Sequence, residues 1–328
     1  MENSIQIKPV QLKSQIVCTI ITPDFLPFAK GLLSSLKKYD KDATLAVLFN
    51  TPPRITHSYE GLIFFEPQDL INTPFSKDIQ KKYAHTNSDH FRWALKPVLI
   101  THLLEQGYQK VIFADPDIFF VGRYDFLWKL LDTNSVLLTP HWASLEIIGS
   151  EDNLLSVLRN GLFNAGFVAA NQQGLAAIRW WASMCHYKMD RKQELGIYDD
   201  QKYLDILPVQ FDNVYVVKHQ GCNLAAWNIQ TCKRTMVNNR LLINNKYEPV
   251  FIHFTNDTIA NIIDRNDPLL KPYLDEYCRS LEEEGYHLFS DKKAIDPAKF
   301  NSLLYSAKHK LRLRTRLKRF FFRLAEKL

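Results

Sequence analysis

Short apolar runs rich in β-branched residues alternate with longer amphipathic stretches through most of the chain, and this rhythm restricts the fold more than any other feature. QIVCTIIT (15–22) reads as a buried strand, residues 26–38 as a helix, and TLAVLFN (44–50) and LIFF (62–65) as further strands. Parallel strands need crossover connections of about a dozen residues or more, usually helical, so the pattern predicts an α/β domain with a mostly parallel sheet. Downstream, KVIFADPDIFFVG (110–122), SVLLTPHW (135–142), LFNAGFVAAN (162–171), VYVVK (214–218) and PVFIHFT (249–255) continue the series as strands. Residues 173–190, 268–288 and 297–328 have helical spacing. So has FRWALKPVLITHLLEQGY (91–108), with a start or kink expected at Pro97, whose ring disfavours αR geometry at Lys96. The polar stretch 70–90 reads as a loop long enough to cover a site.

With 328 residues, 46% of them hydrophobic, the chain can bury a sizeable core. No run of eighteen apolar residues occurs and MENSIQIKPVQLKSQ lacks the order of a signal peptide, so the expectation is a cytoplasmic protein. Five cysteines, odd in number and never in a CxxC spacing, argue against a disulfide framework or a zinc site. The formal charge of +6 is uneven: residues 308–328 hold nine Lys or Arg against one acid, which leaves the remainder close to neutral.

Within KVIFADPDIFFVG two carboxylates interrupt an apolar strand. In an extended chain Asp115 and Asp117 point to the same side, and Pro116 biases Asp115 toward extended geometry. Two convergent carboxylates suit a hard divalent cation such as Mn²⁺ or Mg²⁺, which can in turn hold a diphosphate. Two local alternatives stand beside this. Asp-Pro is a common turn, and an apolar strand followed by DxD also occurs in phosphohydrolases of the haloacid dehalogenase class, where the first Asp is a nucleophile.

Several segments in order resemble one family, the metal-dependent GT-A glycosyltransferases, of the retaining family eight type and its bacterial relatives. CTIITPDFLPFAKGLLSSL (18–36) resembles the nucleotide-binding start of those enzymes. FADPDIFF resembles their DxD strand, LFNAGFVAAN their FNAG strand, YDDQKYLDILP (198–208) their DQ helix, and GCNLAAWN (221–228) and FIHFTN (251–256) their late segments. The resemblance covers roughly residues 15–257 and implies a GT-A fold, Rossmann-like with helices on both faces of the sheet, plus a helical C-terminal extension. It divides the chain into an N-terminal extension (1–14), a catalytic domain (15–260), a helical region (261–307) and a basic amphipathic helix (308–328).

The resemblance also implies roles. Asp115, Asp117 and His253 would bind Mn²⁺ or Mg²⁺. Ile20, Thr22 and Asp24 would contact the nucleoside, and Lys96 would reach the donor, with Arg92 a competitor for that role. Asn164, Ala165 and Gly166 would lie against the donor sugar, and Asp200 and Gln201 would act opposite the leaving group. Asn223, Trp227 and Asn228 would line the acceptor side. The implied activity is transfer of a hexose or N-acetylhexosamine from a nucleotide sugar, UDP-linked by resemblance, to a cell-surface glycan or lipid-linked acceptor with retention. HFTND departs from the family pattern after His253, and a phosphohydrolase or a catalytically silent binding domain remain alternatives.

In a helix, Leu313, Leu317, Phe320, Leu324 and Leu328 form one stripe, and Arg312, Arg316, Arg319, Arg323 and Lys327 a second beside it. Such a helix suits an anionic membrane surface, so peripheral attachment to the inner face of the cell membrane is expected. Nothing in the sequence suggests nucleic-acid binding.

Overall fold

The computed structural model describes residues 14–51, 59–146, 151–192 and 195–289. Its strands are β1 (Gln15–Ile21), β2 (Leu45–Phe49), β3 (Leu62–Phe65), β4 (Lys110–Ala114), β5 (Ile118–Phe120) and β6 (Val136–Pro140). They continue as β7 (Phe163–Asn171), β8 (Val214–Val216), β9 (Arg234–Val237), β10 (Arg240–Ile243) and β11 (Phe251–His253). The α-helices are α1 (Leu26–Lys37), α2 (Ser76–Tyr83), α3 (Ser88–Glu105), α4 (Asp125–Leu130) and α5 (Glu151–Asn160). After these come α6 (Leu175–Tyr187), α7 (Leu207–Gln210), α8 (Asn256–Ile263) and α9 (Lys271–Glu282).

Seven strands form the central sheet in the order β3-β2-β1-β4-β7-β6-β8. β7 runs antiparallel to both its neighbours and the other pairs are parallel, so the sheet is mostly parallel, as the strand-helix rhythm predicts. The period of two along β1 divides its side chains between two cores. Ile16, Cys18 and Ile20 join the cluster under α3 and α6, whereas Val17 and Ile21 join the cluster that includes α1 and α4. Helices therefore cover both faces. The compact unit runs to Glu284, and α9 closes it by packing along α1, with a Lys30–Glu284 ion pair of 2.5 Å. All five cysteines are buried and free.

Three expectations are corrected. Residues 70–90 are not a loop: they contain α2, and Asn87, inside the polar HTNSDH stretch, caps α3 by accepting from the His90 backbone N–H at 2.9 Å. Pro97 neither starts nor ends its helix. It lies inside the 18 residues of α3, where burial from Phe91 to Leu104 outweighs the one backbone bond that proline removes. KVIFADPDIFFVG is not one extended strand either. β4 ends at Ala114, the Ile118 N–H closes a turn on the Asp115 carbonyl at 3.0 Å, and β5 leaves the central sheet.

That departure makes a second, two-stranded sheet. β5 pairs antiparallel with β11, Ile118 opposite His253 and Phe120 opposite Phe251, and the Phe254 N–H donates to the Asp117 carbonyl at 2.8 Å. The pairing brings a histidine from late in the chain beside the DPD turn. Two glycines allow the backbones to approach: a Cβ on Gly122 would stand 2.1 Å from the Pro249 carbonyl oxygen, and one on Gly221 1.9 Å from that of Glu248. Gly122→Ala is therefore expected to cost about 1–3 kcal/mol, the usual penalty of overpacking, measured as a lower urea midpoint with an unchanged slope.

Candidate metal and donor site

The DPD turn lies at the C-terminal end of β4, next to β1, where the sheet edge opens. Asp115, Asp117 and His253 each present a ligand atom there, all within 4.8 Å of one another. His253 Nε2 stands 3.1 Å from Asp117 Oδ1. The carboxylates converge because of the turn, not because an extended chain alternates; the i, i+2 spacing holds but its geometric reason differs. β7 completes the enclosure. The Asp115 N–H donates to the Gly166 carbonyl at 2.8 Å, and a Cβ on Gly166 would lie 2.6 Å from His253 Cε1 and 2.9 Å from Asp115 Oδ2. Only glycine fits against this cluster. Hard oxygen donors with one imidazole match Mn²⁺ or Mg²⁺, so the residues fit a divalent cation.

Lys96 connects this cluster to the next carboxylate. Projecting from the buried middle of α3, its ammonium lies 3.1 Å from Asp115 Oδ1, 3.4 Å from Asp200 Oδ2 and 3.1 Å from the Ala165 carbonyl. Burial favours the neutral amine, but Asp115 and then Asp200 overcome it and hold the Lys96 pKa above its ordinary value. It donates to Asp115 and to the Ala165 carbonyl and pairs by charge with Asp200. Arg92, one turn earlier, has the exposed Asp89 as its only ion-pair partner among the described residues and lines the cleft with Ile20, Phe25, Trp93, Lys96, Asp115, Pro116 and Asp117. Trp93, which belongs to no motif of the sequence, stacks near the guanidinium of Arg191, 4.8 Å from the ring centroid.

Asp200 is 4% exposed, and its backbone carbonyl accepts from the indole of Trp181, a core residue of α6, at 2.8 Å. Burial raises its pKa to about 6; Lys96 opposes this, and Asp115 and Asp199 add to it. Asp199 has a left-handed φ of 46° and pairs with Arg191 at 2.5 Å. No α-helix carries Gln201: the segment is a turn leading into a 3-10 helix, Lys202–Ile206. Gln201 links the FNAG strand to the end of α5, accepting from the Ala165 N–H at 3.2 Å and donating to the Asn160 carbonyl at 2.9 Å.

The remaining residues divide. Thr22 is the N-cap residue of a 3-10 turn, Pro23–Phe25, without a side-chain capping bond, and Asp24 is exposed. Trp227 stands edge-on to His253, its ring centroid 5.5 Å away. Asn223 and Asn228 are fully buried; Asn228 donates to the Asn223 carbonyl at 2.7 Å and accepts from the Ala225 N–H at 3.1 Å, so it shapes the turn that carries Trp227. In Asp117 and His253 burial opposes both charges, yet their contact wins: the Asp117 pKa is lowered and that of His253 raised.

No family profile matches the chain. Uncharacterized protein YfnD of Bacillus subtilis (strain 168) is 30% identical over 191 residues, 56% of this chain; the match spans 58% of the relative's length. Among solved structures, mouse xyloside xylosyltransferase 1 is 12% identical with a TM-score of 0.47, covering 75% of this chain and 98% of its own. The galactosyltransferase LgtC, solved with donor and acceptor sugar analogues, is 14% identical with a TM-score of 0.46, covering 80% and 94%. The bifunctional glycosyltransferase WbbM is 12% identical with a TM-score of 0.48, covering 84% and 50%.

A metal ligand must be a neutral imidazole, whereas Asp117 keeps His253 protonated above its ordinary pKa. Titrating Mn²⁺ into the protein near pH 6.5, about the unperturbed histidine pKa, is therefore expected to release a proton, visible as a calorimetric enthalpy that varies with the buffer. His253→Ala should abolish the release and weaken binding, and affinity should fall as the pH is lowered.

Proposed function

We propose that this protein is a metal-dependent glycosyltransferase that moves a hexose or N-acetylhexosamine from a UDP-sugar to a cell-surface glycan or lipid-linked acceptor, with retention. One observation carries the reading: Asp115, Asp117 and His253 converge within 4.8 Å, and Lys96 ties Asp115 to a second buried carboxylate, Asp200. In it, Asp115, Asp117 and His253 hold Mn²⁺ or Mg²⁺, which when bound supplies a Lewis acid for the diphosphate. Ile20, Thr22 and Asp24 receive the nucleoside. Arg92 faces the diphosphate from the cleft wall, while Lys96 is turned to Asp115, Asp200 and the Ala165 carbonyl.

The strand Asn164–Gly166 lies along the sugar, its backbone held by Gln201. Asp200 stands on the other side of Lys96 from the diphosphate and stabilises positive charge at the anomeric carbon as the leaving group departs. The acceptor approaches past Trp227, with Asn223 and Asn228 supporting that wall, and its hydroxyl proton passes to a phosphate oxygen of the donor. The phosphohydrolase alternative would instead use Asp115 as a nucleophile, but Lys96 engages both of its oxygens.

Asp117→Ala and His253→Ala are each expected to lower Mn²⁺-dependent hydrolysis of UDP-glucose or UDP-galactose by about 10²-fold or more; unchanged turnover of both would overturn the site assignment. Because Asp200 acts as the carboxylate, kcat/KM should rise as the pH passes about 6. An Asp200→Asn variant should lose both activity and that limb of the profile.

Residues 308–328 lie outside the described residues. Among the described residues no helix is long and apolar enough to cross a membrane. The basic stripe of the tail is proposed to hold the enzyme peripherally on the cytoplasmic membrane face. Deleting 308–328 should release the protein from vesicles containing phosphatidylglycerol while UDP-sugar hydrolysis persists; retained vesicle binding would remove the tail from this role.

A further inference from the structure

His141 follows β6 at the same end of the sheet and belongs to none of the roles above. Its backbone N–H donates to the Leu162 carbonyl at 3.0 Å, and its ring Nδ1 lies 3.0 Å from the Gly161 carbonyl oxygen. A carbonyl oxygen only accepts, so Nδ1 carries the proton and Nε2 offers a lone pair. Asn164 Nδ2 lies 3.3 Å from that Nε2, and Asn164 Oδ1 accepts from the Gly166 N–H at 2.8 Å. Polarity is thus fixed along the whole relay, from an acceptor-only carbonyl at one end to a donor-only backbone N–H at the other. Turning the Asn164 amide over would set N–H against N–H at Gly166 and lone pair against lone pair at His141.

The far end of this relay reaches the metal cluster. Asn164 Oδ1 lies 2.6 Å from the point a Cβ on Gly166 would occupy, a point also 2.6 Å from His253 Cε1 and 2.9 Å from Asp115 Oδ2. Trp227 braces both imidazoles, edge-on to His141 at 5.6 Å and 76° and to His253 at 5.5 Å and 86°. Asn164 is 6% exposed, and its amide is held at both ends, by His141 and by the Gly166 N–H.

We infer that His141 is a positioning residue for the donor sugar: as the Nδ1–H tautomer it locks the Asn164 amide, so that Oδ1 stays on the Gly166 N–H beside the metal cluster and the strand holds one fixed arrangement against the sugar. The inference rests on the reading that Asn164 contacts the donor. It ties the orientation of the Asn164 amide to a side chain outside the FNAG motif.

Two substitutions separate positioning from mere support. His141→Asn keeps a donor near Nδ1 for the Gly161 carbonyl but removes the acceptor at Nε2; His141→Gln places an oxygen near Nε2. In the ligand-free full chain, long-range ¹H–¹⁵N spectra should show His141 as the Nδ1–H tautomer, and the Asn164 side-chain amide signal should shift in H141N and hold in H141Q. With Mn²⁺ and UDP-glucose or UDP-galactose, H141N should raise the donor KM by about tenfold or more, H141Q should stay near wild type, and Mn²⁺ affinity should be equal in all three. Adding H141N to N164A should cost nothing further, since both act through one amide. An Nε2–H tautomer, an unchanged donor KM in H141N, or multiplying effects in the double variant would overturn the inference. If the wild type hydrolyses neither these UDP-hexoses nor their N-acetylated counterparts, the glycosyltransferase reading fails, while the tautomer spectra of the free protein still decide whether the relay exists.

Discussion

A single buried ammonium holds the candidate site together. Asp115 and Asp200 come from segments 85 residues apart in sequence, and without a cation between them two enclosed carboxylates would repel each other. Lys96, 4% exposed, supplies that cation from the middle of α3. A buried pair of this kind contributes little net stability, but removing one partner leaves an uncompensated charge at a cost of about 3–5 kcal/mol. The consequence is organisational: the metal turn, the FNAG backbone and the Asp200 segment are referred to one nitrogen atom.

The fold explains how such distant residues share that nitrogen. β4, flanked by β1 and β7, ends in the DPD turn, so Asp115 faces Gly166 across an antiparallel pair. The turn ejects the chain into a second small sheet, where β11 delivers His253. Trp181, rooted in the core under the sheet, holds the Asp200 backbone from behind. Each contact is ordinary; their convergence at one sheet edge is what open α/β folds provide, since ligands bind there beyond the carboxyl ends of strands.

Much of this was legible in the residues. The strands of the central sheet fall where β-branched and apolar runs place them, because a strand buried on both faces has little freedom in composition. The FNAG glycine signalled close approach, and the neighbours of Gly166 show why. What stayed illegible depended on tertiary neighbours. The polar stretch 70–90 hides α2 and the Asn87 cap, since an amphipathic surface helix with a mean composition this polar resembles a loop until its apolar face finds a partner. Gln201 and Asn228 read as ligand contacts, yet the backbone takes up much of their hydrogen bonding, a distinction that only distances can make. His141 gave no signal at all: a histidine after a strand is common, and its tautomer is set by a carbonyl twenty residues away.

The central claim is that Asp115, Asp117 and His253 bind one divalent cation at the DPD turn. Crystals grown with Mn²⁺ and UDP, measured on both sides of the manganese absorption edge, test it most directly. The account predicts one anomalous peak bounded by these three side chains, with diphosphate density beside it. A peak elsewhere in the molecule, or diphosphate bound with no manganese at this group, would contradict it.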